Sequence, residues 1–146
     1  MVTGHLVVMG SCDETARAIT ADGWFRTGDL GRMNAHGALY LLGRIKDMIL
    51  VDGANVYPAA LEAIIGAHPG IADVCAVGMP DEQDGERVRL FVVRRDPALD
   101  EASVAAWCAT HLSHFKQPKR IEFIDALPRS AVDKTLRREL SERPLT

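Results

Sequence analysis

Five histidines, three cysteines and a scatter of cations and carboxylates are the groups of this 146-residue chain that could do chemistry, and most are wrongly spaced for it. His5, His36, His68, His111 and His114 lack metal-ligand spacing, apart from a weak pair at His111 and His114 that reads more simply as solvated or capping imidazoles. Cys12, Cys75 and Cys108 contain no Cys-x-x-Cys pair, so neither a zinc knuckle nor a disulfide framework is expected, no metal is assigned, and a reducing cytoplasm is the expected compartment. Cys75 and Cys108 sit on apolar stripes and read as buried structural thiols rather than nucleophiles. The chain carries no Gly-x-x-x-x-Gly-Lys-Ser/Thr phosphate loop, no Gly-x-Gly-x-x-Gly turn, no Gly-x-Ser-x-Gly elbow and no His-Glu-x-x-His.

Three stretches dense in glycine and charge remain. The first is Gly23-Trp24-Phe25-Arg26-Thr27-Gly28-Asp29-Leu30-Gly31. The second is Gly43-Arg44-Ile45-Lys46-Asp47-Met48-Ile49, continuing through Gly53-Ala54-Asn55-Val56-Tyr57-Pro58 to Glu62. The third is Leu127-Pro128-Arg129-Ser130-Ala131-Val132-Asp133-Lys134, continuing to Arg137, Arg138 and Leu140. Taken one at a time, their polar residues have plain structural readings. Asp29 is a turn aspartate beside Gly28. Arg44 is a surface arginine within reach of Asp29 or Asp47. Lys46 is a solvated lysine at a strand start, and Gly53 is the glycine a hairpin turn wants. Lys134 is an exposed lysine in the first turn of a helix, where the helix dipole disfavours it.

The elements that must hold these residues follow from glycine, proline and hydrophobic spacing. Leu6 to Met9 and Gly37 to Gly43 read as short strands, and Asp13 to Ala21 as a short helix. Met48 to Val51 and Asn55 to Tyr57 flank Asp52-Gly53-Ala54 as a hairpin. A helix starts at Pro58, puts Leu61, Ile64 and Ile65 on one face and ends at Gly66. His68-Pro69-Gly70 is a turn, Ile71 to Met79 an apolar strand, and Asp81 to Glu86 a charged loop. Val88, Leu90 and Val92 alternate with Arg87, Arg89 and Phe91, as in a strand with one wetter face. A helix over Glu101 to Leu112 carries Val104, Trp107, Cys108 and Leu112 on one stripe, with Trp107 in the core. Arg120 to Ile124 is a last strand, and Asp133 is placed to cap a C-terminal helix bearing Leu136 and Leu140, with Arg137 and Arg138 on its solvated side. The fold class expected is α+β. A small two-layer domain of a short hairpin and a mixed sheet flanked by helices occupies residues 46–146. A β-rich stub over residues 1–45 has little helix to cover it and reads as the end of something larger.

Composition closes off other classes. The chain is 47% apolar and 25% charged, ordinary for a globular domain and unlike a disordered or collagenous one. A net charge of -3 argues against a nucleic-acid partner. No apolar run approaches the roughly 18 residues of a membrane span, and no basic region followed by a long apolar run opens the chain as a secretory signal would.

Together and in order, the three stretches resemble the C-terminal portion of the adenylate-forming acyl- and aryl-CoA ligases, the superfamily of acyl-CoA synthetases, luciferases and peptide-synthetase adenylation domains. The resemblance runs from about Gly4 to Leu140. It implies an AMP-forming acid–thiol ligase: a carboxylic acid attacks the α-phosphate of ATP to give an acyl-adenylate and pyrophosphate, and the thiol of CoA or of a carrier-protein pantetheine then displaces AMP. It further implies that Asp29 accepts from the ribose hydroxyls, that Arg44 holds the ribose and phosphate side of the nucleotide, and that Lys46 is the hinge on which the small domain pivots. The resemblance likewise implies that Gly53, Ala54 and Asn55 line the approach of the thiol and that Lys134 bridges the attacking carboxylate and the phosphate. A lysine is cationic at pH 7, and one such charge about 4 Å from a phosphate oxygen is worth on the order of 4 kcal/mol at an effective dielectric of 20.

Two departures from the family pattern stand beside these matches. Asp52 occupies the first of two positions that are both glycine in many relatives. Asp133 stands where most relatives carry glycine before the lysine, placed either to cap the helix or to pair with Lys134 and turn it away from ATP. The phosphate-gripping loop, adenine pocket and acyl pocket of the family lie on a large N-terminal adenylation domain outside this chain, which is therefore the expected partner. Magnesium is expected to accompany ATP on that domain. The isolated chain is expected not to be competent. The other reading is a stand-alone binding or regulatory module that keeps the fold without the catalysis. An exposed Lys134 is also a candidate for acetylation, with a lysine acetyltransferase as partner.

Overall fold

A computed structural model describes residues 18–144. Leu6 to Met9, Cys12 and most of the expected helix over Asp13 to Ala21 lie outside that range. The helix does not reach Ala21, because Ile19 already bridges Phe25 in antiparallel fashion.

Two sheets form. β1 (Asp29–Met33) and β2 (Leu39–Arg44) pair antiparallel as a two-stranded ribbon. Their turn is closed by Asn34, whose side-chain oxygen accepts from the backbone N–H groups of His36 and Ala38 at 3.0 and 2.9 Å. The ribbon leaves Met33, Leu39, Tyr40 and Leu41 exposed. Ile45–Asp47 then forms one 3-10 turn, so Lys46 sits in a tight turn rather than at a strand start.

The second sheet has five strands. β3 (Ile49–Val51) and β4 (Ala54–Val56) make the expected hairpin, and Asp52 and Gly53 both adopt positive φ, 47° and 73°. Two consecutive left-handed residues match the twist of the flanking strands, which is why Asp-Gly suits this turn. β5 (Ile71–Asp81) and β6 (Gly85–Arg94) form a long antiparallel pair, and the charged loop shrinks to the turn at 82–84 between them. β7 (Arg120–Phe123) adds to β6 in parallel, and β3 meets the start of β6 where Val51 opposes Gly85.

Two longer helices cover one face of this sheet. α1 (Pro58–Ile65) begins with proline at its first position and buries Leu61 and Ile65, while Ile64 stays 37% exposed and leaves the expected core stripe. α2 (Glu101–His111) is capped by Asp100, whose carboxylate accepts from the Ser103 N–H at 2.8 Å. Its Val104 and Cys108, with Leu112 just beyond its end, join Leu61, Ile65, Val88, Leu90 and Val92 in the main core. Trp107 lies at the rim of that core, its indole N–H donating to the Ile64 carbonyl at 3.1 Å.

The opposite face of β6 is not the wet one that the alternation of Arg89 and Phe91 predicts. Leu127 and Leu140, the latter on the short helix α3 (Arg137–Ser141), pack there on Cys75, Val77 and Phe91. Arg89 is 2% exposed. Its guanidinium donates to both Glu122 oxygens at 2.7 and 3.1 Å and to the carbonyls of Arg143 and Pro144 at 2.8 and 3.0 Å. A buried guanidinium is tolerable only with its donors satisfied, and here strand and C-terminal tail satisfy them together.

Candidate functional site

Asp29 opens β1 and Arg44 closes β2, and the register of the ribbon places them opposite each other. The Arg44 Nε stands 3.5 Å from an Asp29 oxygen, an ion pair exposed enough to cost little to open. Of the two surface partners weighed for Arg44, the structure selects Asp29. Arg44 then leads directly into the 3-10 turn that carries Lys46.

Arg44, Lys46 and Lys134 line one cleft of about 900 Å3 between that turn, β5 and α3. Three of the sequence-nominated residues, separated by up to 90 positions, are thus brought to one cavity. Asp29 reaches it through its pairing with Arg44. Gly53, Ala54 and Asn55 do not line it; they form the tip and outgoing strand of the β3–β4 hairpin. A side chain added at Gly53 would meet nothing within 4 Å, so it is the positive φ, not close packing within the chain, that demands glycine there. The hairpin tip is tied to the β5–β6 turn by the Asp52 N–H donating to the Asp84 carbonyl at 2.9 Å.

Lys134 is held by its backbone. Its N–H donates to the Ser130 hydroxyl at 3.2 Å, the Ser130 N–H donates to the Lys134 carbonyl at 2.8 Å, and Thr135 bridges back to Arg129. This tight loop precedes α3, which begins only at Arg137 after Leu136 has donated to the Pro128 carbonyl at 2.8 Å. Two expectations are corrected. Lys134 is not in a helical first turn, so the helix dipole does not oppose it. Asp133 caps no helix; it takes a left-handed φ of 59° as the turn residue, and its carboxylate lies 3.3 Å from Arg129. The Lys134 ammonium makes no hydrogen bond or ion pair with the described residues and stays exposed.

Around this amine stand residues that sequence reasoning missed. Arg137, expected on a solvated helix face, forms a two-pronged ion pair with Glu62 of α1, its second prong at 2.6 Å. It also donates to the Ala76 carbonyl at 3.0 Å and to the Cys75 sulfur at 3.3 Å, and its Nε lies 3.8 Å from Asp47. The Glu62 hydrogen bonds, with the charges of Glu62 and Asp47, raise the Arg137 pKa against the opposing pull of burial, keeping the guanidinium charged. Burial pushes the Cys75 thiol up to about 12 against the opposing charge of Arg137, and burial takes Cys108 to about 11. Both thiols are neutral and unreactive at pH 7, as their apolar surroundings imply. Arg129 anchors the other end of the Lys134 loop, 2.5 Å from Asp73 on β5. Glu62 and Arg137 both stand in the motif stretches, yet no spacing rule joins residues 75 apart. Arg138 is on the exposed side of α3, as expected, paired with Glu142 at 2.7 Å.

Residues 60–134, just over half the chain, match the family described as the AMP-binding enzyme C-terminal domain. The chain belongs to that family. The chain is also 48% identical over 143 residues to a long-chain-fatty-acid–CoA ligase of Salmonella typhimurium, covering 97% of this chain and 26% of that protein. It thus spans about a quarter of the length of such relatives and corresponds to a C-terminal portion of an adenylate-forming enzyme. Among solved structures, ATP-bound MatB from Rhodopseudomonas palustris matches with a TM-score of 0.82 at 37% identity over 89% of this chain and 26% of that one. Apo MatB from the same organism matches over the same shares at a TM-score of 0.68 and 38% identity. The α+β architecture expected from the sequence is that of this family. Among the described residues no helix is long and apolar enough to cross a membrane.

Proposed function

We propose that residues 46–146 are the mobile lid, and residues 1–45 the end of the preceding large domain, of an AMP-forming acid–thiol ligase. In the first half-reaction a carboxylate oxygen attacks the α-phosphorus of ATP and the bond to pyrophosphate breaks, leaving an acyl-adenylate. In the second, a deprotonated thiol of CoA or a pantetheine arm attacks the acyl carbonyl and AMP leaves. The observation that carries this reading is the cleft in which Arg44, Lys46 and Lys134 converge while the Lys134 amine stays unpaired among the described residues.

Each residue has a role its placement supports. Lys134 sets a cation against the charge that develops between carboxylate and α-phosphate, where a preorganised donor does most for the barrier. Asp29, freed from its exposed pair with Arg44, accepts from ribose hydroxyls with charge-assisted strength. Arg44 turns to the phosphate side. Lys46, in a three-residue turn between two sheets, is where a few dihedral changes would swing the lid. The Gly53–Asn55 tip would then approach the thiol. The higher TM-score to ATP-bound than to apo MatB supports reading the present arrangement as the adenylating one.

On this reading the isolated chain is not competent, since phosphate grip, adenine pocket and acyl pocket lie elsewhere. The test is pyrophosphate exchange with a panel of carboxylic acids, run on residues 1–146 alone and on the chain assembled with a large adenylation domain. The expected result is exchange only in the assembly, reduced about a thousandfold by Lys134→Ala, the rate equivalent of about 4 kcal/mol. Exchange by the chain alone, or an assembly indifferent to Lys134→Ala, would overturn the reading.

A further inference from the structure

Lys134 has no side-chain partner among the described residues, and its neighbour three positions on has an unusual number. The guanidinium of Arg137 grips Glu62 with two prongs, donates to the Ala76 carbonyl and touches Asp47 beside the Lys46 turn. Glu62 is itself fixed, one oxygen accepting from the Ala76 N–H at 2.7 Å. The clasp therefore links α1, β5 and the 3-10 turn to the residue that ends the Lys134 loop. Its geometry is that of a planar fork on a carboxylate, which lysine cannot reproduce. The Glu62 side chain is 17% exposed and that of Arg137 27%, so the pair is only partly wet, unlike the more exposed Arg129–Asp73 contact at the other end of the loop. A long flexible amine is useful in a transition state only if its root is held still.

We propose that Arg137, through its clasp on Glu62, is a positioning residue that fixes the root of Lys134 at the mouth of the cleft for the adenylation step. The inference rests on the ligase reading above. Arg137 lines the same cleft, but its guanidinium is committed to Glu62, so on this inference it acts through Lys134 and its effect should vanish when that amine is gone.

Two measurements test this. In residues 1–146, Arg137→Gln and Glu62→Gln are each expected to raise amide hydrogen exchange at Lys134 and Leu136 at least tenfold while the β5–β6 core amides keep their protection. Unchanged exchange in both variants overturns the inference. In the assembled enzyme, Arg137→Gln is expected to lower the turnover number for pyrophosphate exchange at least tenfold with less than a threefold change in the KM for ATP. Arg137→Lys is expected to recover little. The double variant Lys134→Ala with Arg137→Gln is expected to be no slower than Lys134→Ala alone. Additive losses mean that Arg137 serves the fold in general and overturn the inference. An assembly that needs Lys134 but tolerates both Arg137→Gln and Glu62→Gln overturns this inference and leaves the ligase reading standing. Indifference to Lys134→Ala overturns both.

Discussion

The carboxylate of Asp133 lies 3.3 Å from the guanidinium of Arg129 and makes no contact with the amine of Lys134 beside it in sequence. Adjacent residues in a tight turn point apart, and the left-handed backbone at Asp133 turns its side chain back toward Arg129, whose guanidinium also takes the Asp133 carbonyl at 3.1 Å. Asp133 therefore does not quench the neighbouring cation.

Asp52 and Asp133 are the non-glycine residues of positive φ among those described. Aspartate is tolerated in that conformation better than residues with bulkier β-carbons, whose cost is about 1–2 kcal/mol. Asp52→Gly and Asp133→Gly are each expected to leave urea stability within about 1 kcal/mol of the parent. Asp133→Val should lose about 1–2 kcal/mol. Equal losses for the glycine and valine variants at 133 would show that the backbone conformation is not what the site demands.

Arg89 is the buried charge on which the second face of the sheet depends. Glu122→Ala leaves its guanidinium with the carbonyls of Arg143 and Pro144 but without a counter-charge. Removing one partner of a buried pair costs about 3–5 kcal/mol. A fall of that size is expected in equilibrium unfolding of the chain, against less than about 1 kcal/mol for the exposed pair broken by Glu142→Ala. Equal effects from the two variants would place Arg89 in water after all.

Asp81, at the end of β5, is held down to about 2, first by its hydrogen bond to Lys119 and then by the backbone N–H groups of Gln83 and Asp84. Its folded pKa lies below the unfolded one. The stabilisation is therefore present above the unfolded carboxylate range and is lost as pH falls through about 2. The stability of the parent should drop between about pH 4 and pH 2, the interval between the ordinary Asp pKa and the depressed one. Asp81→Asn should flatten that part of the curve, and identical acid slopes in the two proteins would exclude the contact with Lys119.

Cys75 and Cys108 have raised thiol pKa values because they are buried. At pH 8 a disulfide reagent is expected to modify neither in the folded chain and both once denaturant is added. Native-state modification of Cys75 at the denatured rate would mean that the Arg137–Glu62 clasp above it opens freely. Above about pH 9, ionisation of the same thiols in the unfolded chain should begin to favour unfolding.

Much of the fold was legible in the chain. Pro58 marked the first turn of α1, Asp-Gly marked the β3–β4 turn, and the alternation of Val88, Leu90 and Val92 marked the buried face of β6. Each of these signals is local: it rests on φ, on a missing N–H or on a two-residue period. Ile64 and Arg89 were misread because local period says which face a residue is on, not what will cover that face. Leu127 and Leu140 arrive from the far end of the chain to bury Phe91, and the tail that brings them also caps Arg89.

Without coordinates, turn residues and hydrophobic spacing pointed to the α+β class, and the resemblance carried by the three glycine- and charge-rich stretches pointed to the family and nominated Asp29, Arg44 and Lys134. Which charges are spent and which are free was decided only by tertiary structure. Arg137 and Lys134 are both cations of one motif, yet Arg137 is committed to Glu62 while the Lys134 amine stays unpaired among the described residues. Pairing depends on the folding together of residues 75 positions apart, and a coulombic contact of a few ångströms leaves no periodic trace in sequence.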